Sequence, residues 1–183
     1  MAKIATKHLD VGTASGTVAA GNHTHAGGAG VLLQVKAIRD TTVLQGAGTV
    51  STKLTPPTSL EGFAYPQLTL TFTPLAANSL LEVEVLVNAA LNGTSNSGWV
   101  MLFDSGSATP TVAVALGGAA LSYQTRMLPI KHFVVAGSVT QRTFTVRMSS
   151  ANTTTFLNNS LSYSTPYFAP AVASSISVKE YAQ

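Results

Sequence analysis

The stretch LTLTFTP, residues 68–74, is the feature that most limits what this chain can fold into. Leu68, Leu70 and Phe72 share one parity, and Thr69, Thr71 and Thr73 the other. A helix would scatter these residues round its axis. A strand sends successive side chains to opposite faces, so the text fits a half-buried strand. LLEVEVLV (80–87) repeats the pattern, with Leu81, Val83 and Val85 on one side and Glu82 and Glu84 on the other. Further strand text is VLLQVKAI (31–38), TTVLQGAGTV (41–50), WVMLF (99–103), TVAVAL (111–116), KHFVVAGSV (131–139), RTFTVRMSS (142–150), TTTFL (153–157) and SSISVKEYA (174–182). The separators TPPTS, LAANS, NGTSNSG, DSGSATP, GSVTQ, SANT and NNS are rich in turn formers. No sustained 3.6-residue pattern or βαβ rhythm is present. About eight to ten short strands predict an all-β chain, an antiparallel β-sandwich or jelly roll. The segment 158–173, NNSLSYSTPYFAPAVA, is the least regular and reads as a long surface loop.

Composition narrows the function classes. Of 183 residues only 9% are charged, and the formal net charge is +3. The ten basic residues are scattered from Lys3 to Lys179, so no stripe for nucleic acid forms. The chain has no cysteine, hence neither disulfides nor thiolate chemistry. MAKIATKHLDVG lacks an apolar signal core, and no segment reaches 18 apolar residues. The expectation is synthesis in a cytoplasm with no membrane insertion. So bland a surface also suits a protein partly buried between subunits.

Residues 1–30 differ from the rest. They are mostly Gly, Ala, Thr, Ser, Asn and His, with too few large apolar residues to close a core. They divide the chain into an N-terminal attachment and axial segment (1–30) and a head domain (31–183). Within the first lies GNHTH (21–25), which holds two of the four histidines. In an extended segment His23 and His25 project the same way, and the flanking glycines allow close backbone approach. Imidazole ligates Zn, Fe, Ni and Co. Two imidazoles are too few for a firm site in one chain, where a solvated polar turn is the rival reading. Three chains on a common axis would supply six, enough for one octahedral structural ion. That geometry favours Fe(II), with Zn or Ni as alternatives. With every position filled by protein, no Lewis-acid catalysis is expected.

The string GTASGTVAAGNHTHAGG resembles the G-(D/N)-H-T-H segment of tail fibres and receptor-binding proteins of tailed bacteriophages, with His23 and His25 carrying the match. AGSVTQRTFTVRMSSANTTTFLNNS and the later SSISVKEYAQ resemble the terminal strands of jelly-roll heads in phage fibre and tail-knob proteins. The resemblance implies a homotrimer with His23 and His25 on its axis, attached to a virion through its N-terminus. It implies a tail-fibre or tail-tip location and binding of a host-surface glycan or protein. Here the chain departs from a full fibre, having neither a repetitive shaft nor coiled-coil heptads. A purely structural head decoration or tail plug is the alternative.

An enzyme is not expected. Glu82 and Glu84 lie roughly 6–7 Å apart along a strand, a separation a glycoside hydrolase could use. A solvated or interfacial pair is the simpler reading, and no G-x-S-x-G or H-E-x-x-H is present. Arg142 and Arg147 read as solvated or interface charges, and His132 as a satisfied or solvent-facing polar residue. For receptor contact the aromatic candidates are Trp99, Tyr163, Tyr167 and Phe168, with Phe63 and Tyr65 in EGFAYP. Such rings can stack on sugars, although aromatics beside strands more often belong to a core or interface.

Overall fold

A computed structural model describes residues 30–47, 62–91, 98–105, 111–116, 125–150, 154–158, 160–162, 165–167 and 172–183. The strands are β1 (Leu32–Asp40), β2 (Leu44–Ala47), β3 (Phe63–Phe72), β4 (Leu80–Leu91), β5 (Gly98–Asp104) and β6 (Val112–Leu116). They continue as β7 (Arg126–Val135), β8 (Arg142–Ser150), β9 (Thr154–Leu157), β10 (Ser160–Ser162), β11 (Thr165–Tyr167) and β12 (Ser174–Tyr181). Every pairing is antiparallel. Among the described residues there is no helix.

The first sheet runs β1-β12-β4, with β7 on the far edge of β4. Ala89 pairs with Arg126 of β7 on one side and Leu157 of β9 on the other. So β9 continues the lane of β12, and β2, paired to β9, continues the lane of β1. The second sheet runs β3-β8-β5-β6. With the short strands set aside, the orders β1-β12-β4-β7 and β3-β8-β5-β6 are those of a jelly-roll sandwich.

Alternation explains the packing. Leu81, Val83 and Val85 of β4 and Ile176 and Val178 of β12 face Leu70, Phe72, Leu102, Phe144 and Val146 of the second sheet in one core. Burying each such side chain contributes about 1.5–3 kcal/mol. The expected inner face of residues 68–72 is therefore realised, with Leu68 and Leu70 fully buried.

Three boundaries differ from the sequence reading. β3 starts at Phe63, so EGFAYP is largely strand rather than loop. Its Pro66 is tolerated because β3 is an edge strand whose register shifts between Tyr65 and Thr69. β7 starts at Arg126, before the expected Lys131, and its Pro129 likewise sits on an edge. It stops at Val135, and Gly137 turns the chain at φ 73°. The segment 158–173 contains the small hairpin β10–β11 instead of loop alone.

Buried polar groups close the rim of the sandwich. Glu180 points inward and is fully buried. Its carboxylate accepts from Gln34 Nε2, the Leu75 and Ala76 backbone N–H groups and Ser79 Oγ. It thereby pins the turn between β3 and β4 to the end of β12. Elsewhere, Asn158 fills the junction between β9 and β12 with a left-handed backbone (φ 51°). Its Nδ2 donates to the Asp40 and Thr42 carbonyls at 3.1 Å each and to the Tyr65 hydroxyl, while its Oδ1 accepts from Ser174 Oγ. Tyr65 in turn donates to Asp40 Oδ2 at 2.7 Å. A third closure is the ion pair of Arg142 with Asp104, whose guanidinium also donates to the Val135 and Ala136 carbonyls. It clasps the second sheet to the end of β7.

Glu180→Ala leaves the Leu75 and Ala76 N–H groups without their acceptor, and its expected cost is about 3 kcal/mol, read as a lowered urea midpoint. Asn158→Gly and Asn158→Ala both delete the junction network. Only alanine adds left-handed backbone strain, so it should be the less stable of the two by about 1 kcal/mol. Equal midpoints would contradict that account.

Candidate functional site

The outward face of the first sheet gathers the chain's accessible chemistry. Its cross-strand rows follow from register. Val135, Leu80, Tyr181 and Leu32 form one row, and Phe133, Glu82, Lys179 and Val35 the next. Then come Lys131, Glu84, Ser177 and Ala37, followed by Pro129, Leu86, Ser175 and Arg39.

At its centre is a closed square of charge. Lys131 Nζ lies 3.1 Å from Glu82 and 3.3 Å from Glu84, and Lys179 Nζ lies 3.0 Å and 2.6 Å from the same two carboxylates. Lys179 is the largest influence holding both carboxyls below the ordinary carboxylate value, with Lys131 adding to it against the cost of burial. Reciprocally, Glu82 and then Glu84 raise Lys131, while Glu84 and then Glu82 raise Lys179. Lys131 also sits 5.3 Å above the Phe133 ring. The lysines are solvent-accessible, so the pairs are screened and their contribution to stability is small. Beside the square, Glu84, Leu86, Pro129, Lys131, Ser175 and Ser177 line an open depression of about 340 Å³.

This arrangement is poor in acid–base chemistry. A glycosidase general acid needs a raised pKa beside an ionised partner. Here both carboxyls are held low by the same two lysines. The other described acids are engaged as well: Asp40 by Tyr65 and Thr42, Asp104 by Arg142, and Glu180 by its four donors. His132 projects inward from β7, and burial lowers its pKa, with Asp104 opposing and Arg142 reinforcing that shift. Among the described residues no cluster of three or more His, Cys, Asp or Glu side chains converges as a metal site.

The arginines depart from expectation. Arg142 is not a solvated charge; its side chain is 17% exposed and clasps Asp104. The half-buried Arg147 donates to the Gly62 carbonyl at 2.7 Å. Gly62 is required there, because its φ is 71° and a Cβ would come within 2.3 Å of the Met148 carbonyl oxygen.

Of the aromatic candidates, Tyr65 is fully buried with its hydroxyl bound, so it presents nothing to a receptor. Phe63 packs half-buried against the core. Trp99 lies on the outward face of the second sheet, half-buried against Met101 and Phe103. Tyr167 falls in β11. His23, His25, Tyr163 and Phe168 lie outside the described residues. Sequence reasoning missed Lys131 and Lys179 as partners of Glu82 and Glu84. The alternation put each on an outward face, but strand order, which the alternation does not encode, brings them together.

The fold defines the chain as an all-β, antiparallel two-sheet protein. No family model and no curated protein matches it. It is similar to a solved structure described as "Structure of infectious bursal disease virus Gx strain", at 12% identity and a TM-score of 0.40. The alignment covers 80% of this chain and 32% of the other, so this chain spans about a third of that one's length.

The titrations set a pH profile. Glu82, Glu84 and Glu180 all have folded pKa values below the ordinary 4.5, Glu180 because its donors outweigh burial. Their stabilisation is complete above 4.5 and is lost as pH falls through the folded values, since the unfolded chain binds those protons first. His132, held below its ordinary 6.5, adds a loss that begins as pH drops under 6.5. Unfolding free energy should therefore be flat from neutral to mildly alkaline pH, decline gently below 6.5 and fall steeply below 4.5. His132→Asn should remove only the gentle part in urea titrations at stepped pH. A profile that rises on acidification would contradict this assignment.

Proposed function

We propose that this chain is a virion protein of a tailed bacteriophage, the jelly-roll head of a homotrimeric tail fibre or tail tip that adheres to the host surface. One juxtaposition carries the reading: a GNHTH segment directly precedes a sandwich with jelly-roll strand order. Fold alone hosts many functions, so the strand order supports the reading by analogy, and the histidine segment gives it its particular form. The donor set of His23 and His25, neutral imidazoles without carboxylate or thiolate, suits a first-row ion. When bound, the ion would act as a structural pin between chains, with Fe(II) favoured over Zn or Ni. Adhesion would be multivalent, three weak sites reinforcing one another on one head. Trp99, Tyr163, Tyr167 and Phe168 are the proposed receptor contacts.

The open apolar sheet face also suits a purely structural decoration or plug, and cell binding separates the two. The full chain should show the molar mass of three copies and about one ion per three chains. His23→Ala/His25→Ala should remove the ion. Labelled protein should bind intact host bacteria saturably, and Trp99→Ala should weaken that binding. Assembly onto virions without any cell binding would leave only the structural role.

A further inference from the structure

We infer that the outward face of the first sheet, from β7 across β4 and β12 to β1, is where further copies of this chain pack. The inference rests on the homotrimer reading above and adds the surface that forms it. Among the described strand residues, apolar exposure is greater on this face than on the outward face of the second sheet. On this face Leu32, Val35, Met127, Phe133 and Val135 are 50%, 52%, 59%, 51% and 49% exposed. On the outward face of the second sheet, Met101 and Phe103 are buried and the exposed Thr69 is polar. Large apolar side chains gathered on one face mark an interaction surface.

Charge identifies the partner. The square of Glu82, Glu84, Lys131 and Lys179 is neutral within itself. A strongly charged partner, such as nucleic acid or an acidic surface, gains nothing from it. A second copy meets no net repulsion at the square, Arg39 adding one positive charge only at the far end of the face, and Lys131 and Glu84, with side chains 51% and 39% exposed, can re-form the same pair across the contact. The size is of the same order as a stable interface. Four strands at ~4.8 Å spacing and nine residues at ~3.4 Å rise give a sheet face of roughly 20 Å by 30 Å, on the order of 600 Å² before side-chain relief. A stable interface buries about 800 Å² per partner.

The chain path agrees. The Gly30 N–H donates to the Ala182 carbonyl at 2.7 Å, and the Ala182 N–H donates to Val31. Residues 1–29 therefore join β1 at the apolar end of this face, beside the row of Val135, Leu80, Tyr181 and Leu32. Copies packed about a three-fold axis with these ends side by side would let three chains share an ion on His23 and His25.

The absence of cysteine makes the test direct. Val35→Cys, Val135→Cys and, on the other sheet, Thr69→Cys each place one thiol at an exposed site in the full chain. Molar mass and maleimide labelling rate are then measured on each. The expected result is a mass of three copies, with the Val35→Cys and Val135→Cys thiols labelled about tenfold or more slowly than that of Thr69→Cys. All three should label alike in urea. A trimer whose three variants label equally in buffer overturns this face while leaving the trimer intact. A mass of one chain overturns the trimer itself, and the face with it.

Discussion

The register of β4 is the constraint on which the rest depends. This strand pairs with β12 and β9 on one edge and β7 on the other, so three elements inherit their facing from it. Its odd residues from Leu81 to Ala89 fill the core, and its even residues hold Glu82 and Glu84 outside. A slip by one residue would carry two carboxylates into the core and Leu81, Val83, Val85 and Val87 into water. The lysines on either side reinforce the correct register, since Lys131 and Lys179 reach both carboxylates only when all three strands are aligned. The square thus does more to specify the pairing than to stabilise it.

The rim of the sandwich follows a different logic. Apolar alternation fills the middle of two sheets but says nothing about their ends, where the chain crosses between layers and leaves backbone groups unpaired. There the structure uses buried polar side chains with several partners each: Glu180 at the β3–β4 turn, Asn158 with Tyr65 and Asp40 at the β9–β12 junction, and Arg142 with Asp104 beside β7. Gln34 and Lys36 add to this from β1, donating at 2.9 Å to the Thr73 carbonyl just after β3 and at 2.6 Å to the Thr71 carbonyl within it. A buried polar group is tolerable only when it is satisfied, so each closure accepts one arrangement of strands and penalises the rest.

That division explains what the sequence made legible. The strands with clean alternation, Leu68–Phe72 and Leu80–Val87, were readable down to the face of each residue, because a local period carries that information. Tyr65 and Arg142 were misplaced because their roles are non-local. A tyrosine beside a proline in EGFAYP looks like loop text until Asp40 and Asn158, far away in sequence, are brought to its hydroxyl. An arginine in a strand looks solvated until Asp104 is placed beside it. The prolines near the starts of β3 and β7 are tolerated for a related, non-local reason. Proline argues against a strand only where its missing N–H matters, and edge position is a property of sheet order. The histidine pair is the reverse case, since its meaning is written in a local spacing but depends on how many chains meet.

The fate of the acids links fold to partner. Asp40, Glu82, Glu84, Asp104 and Glu180 are each tied to a specific structural partner. Among the described residues no carboxylate is left over to repel another molecule, act as an acid–base group or carry a metal. A chain with 9% charged residues that assigns its described acids to internal contacts keeps little charge for solubility at its surface. Such a surface is stable in water when its apolar part is covered. The exposed apolar part is the outward face of β7, β4, β12 and β1, with a neutral centre. Low charge, the closed square and the apolar exposure of that face are three independent reasons for the proposed packing of copies through it, because each lowers the cost of covering the face with a surface like itself.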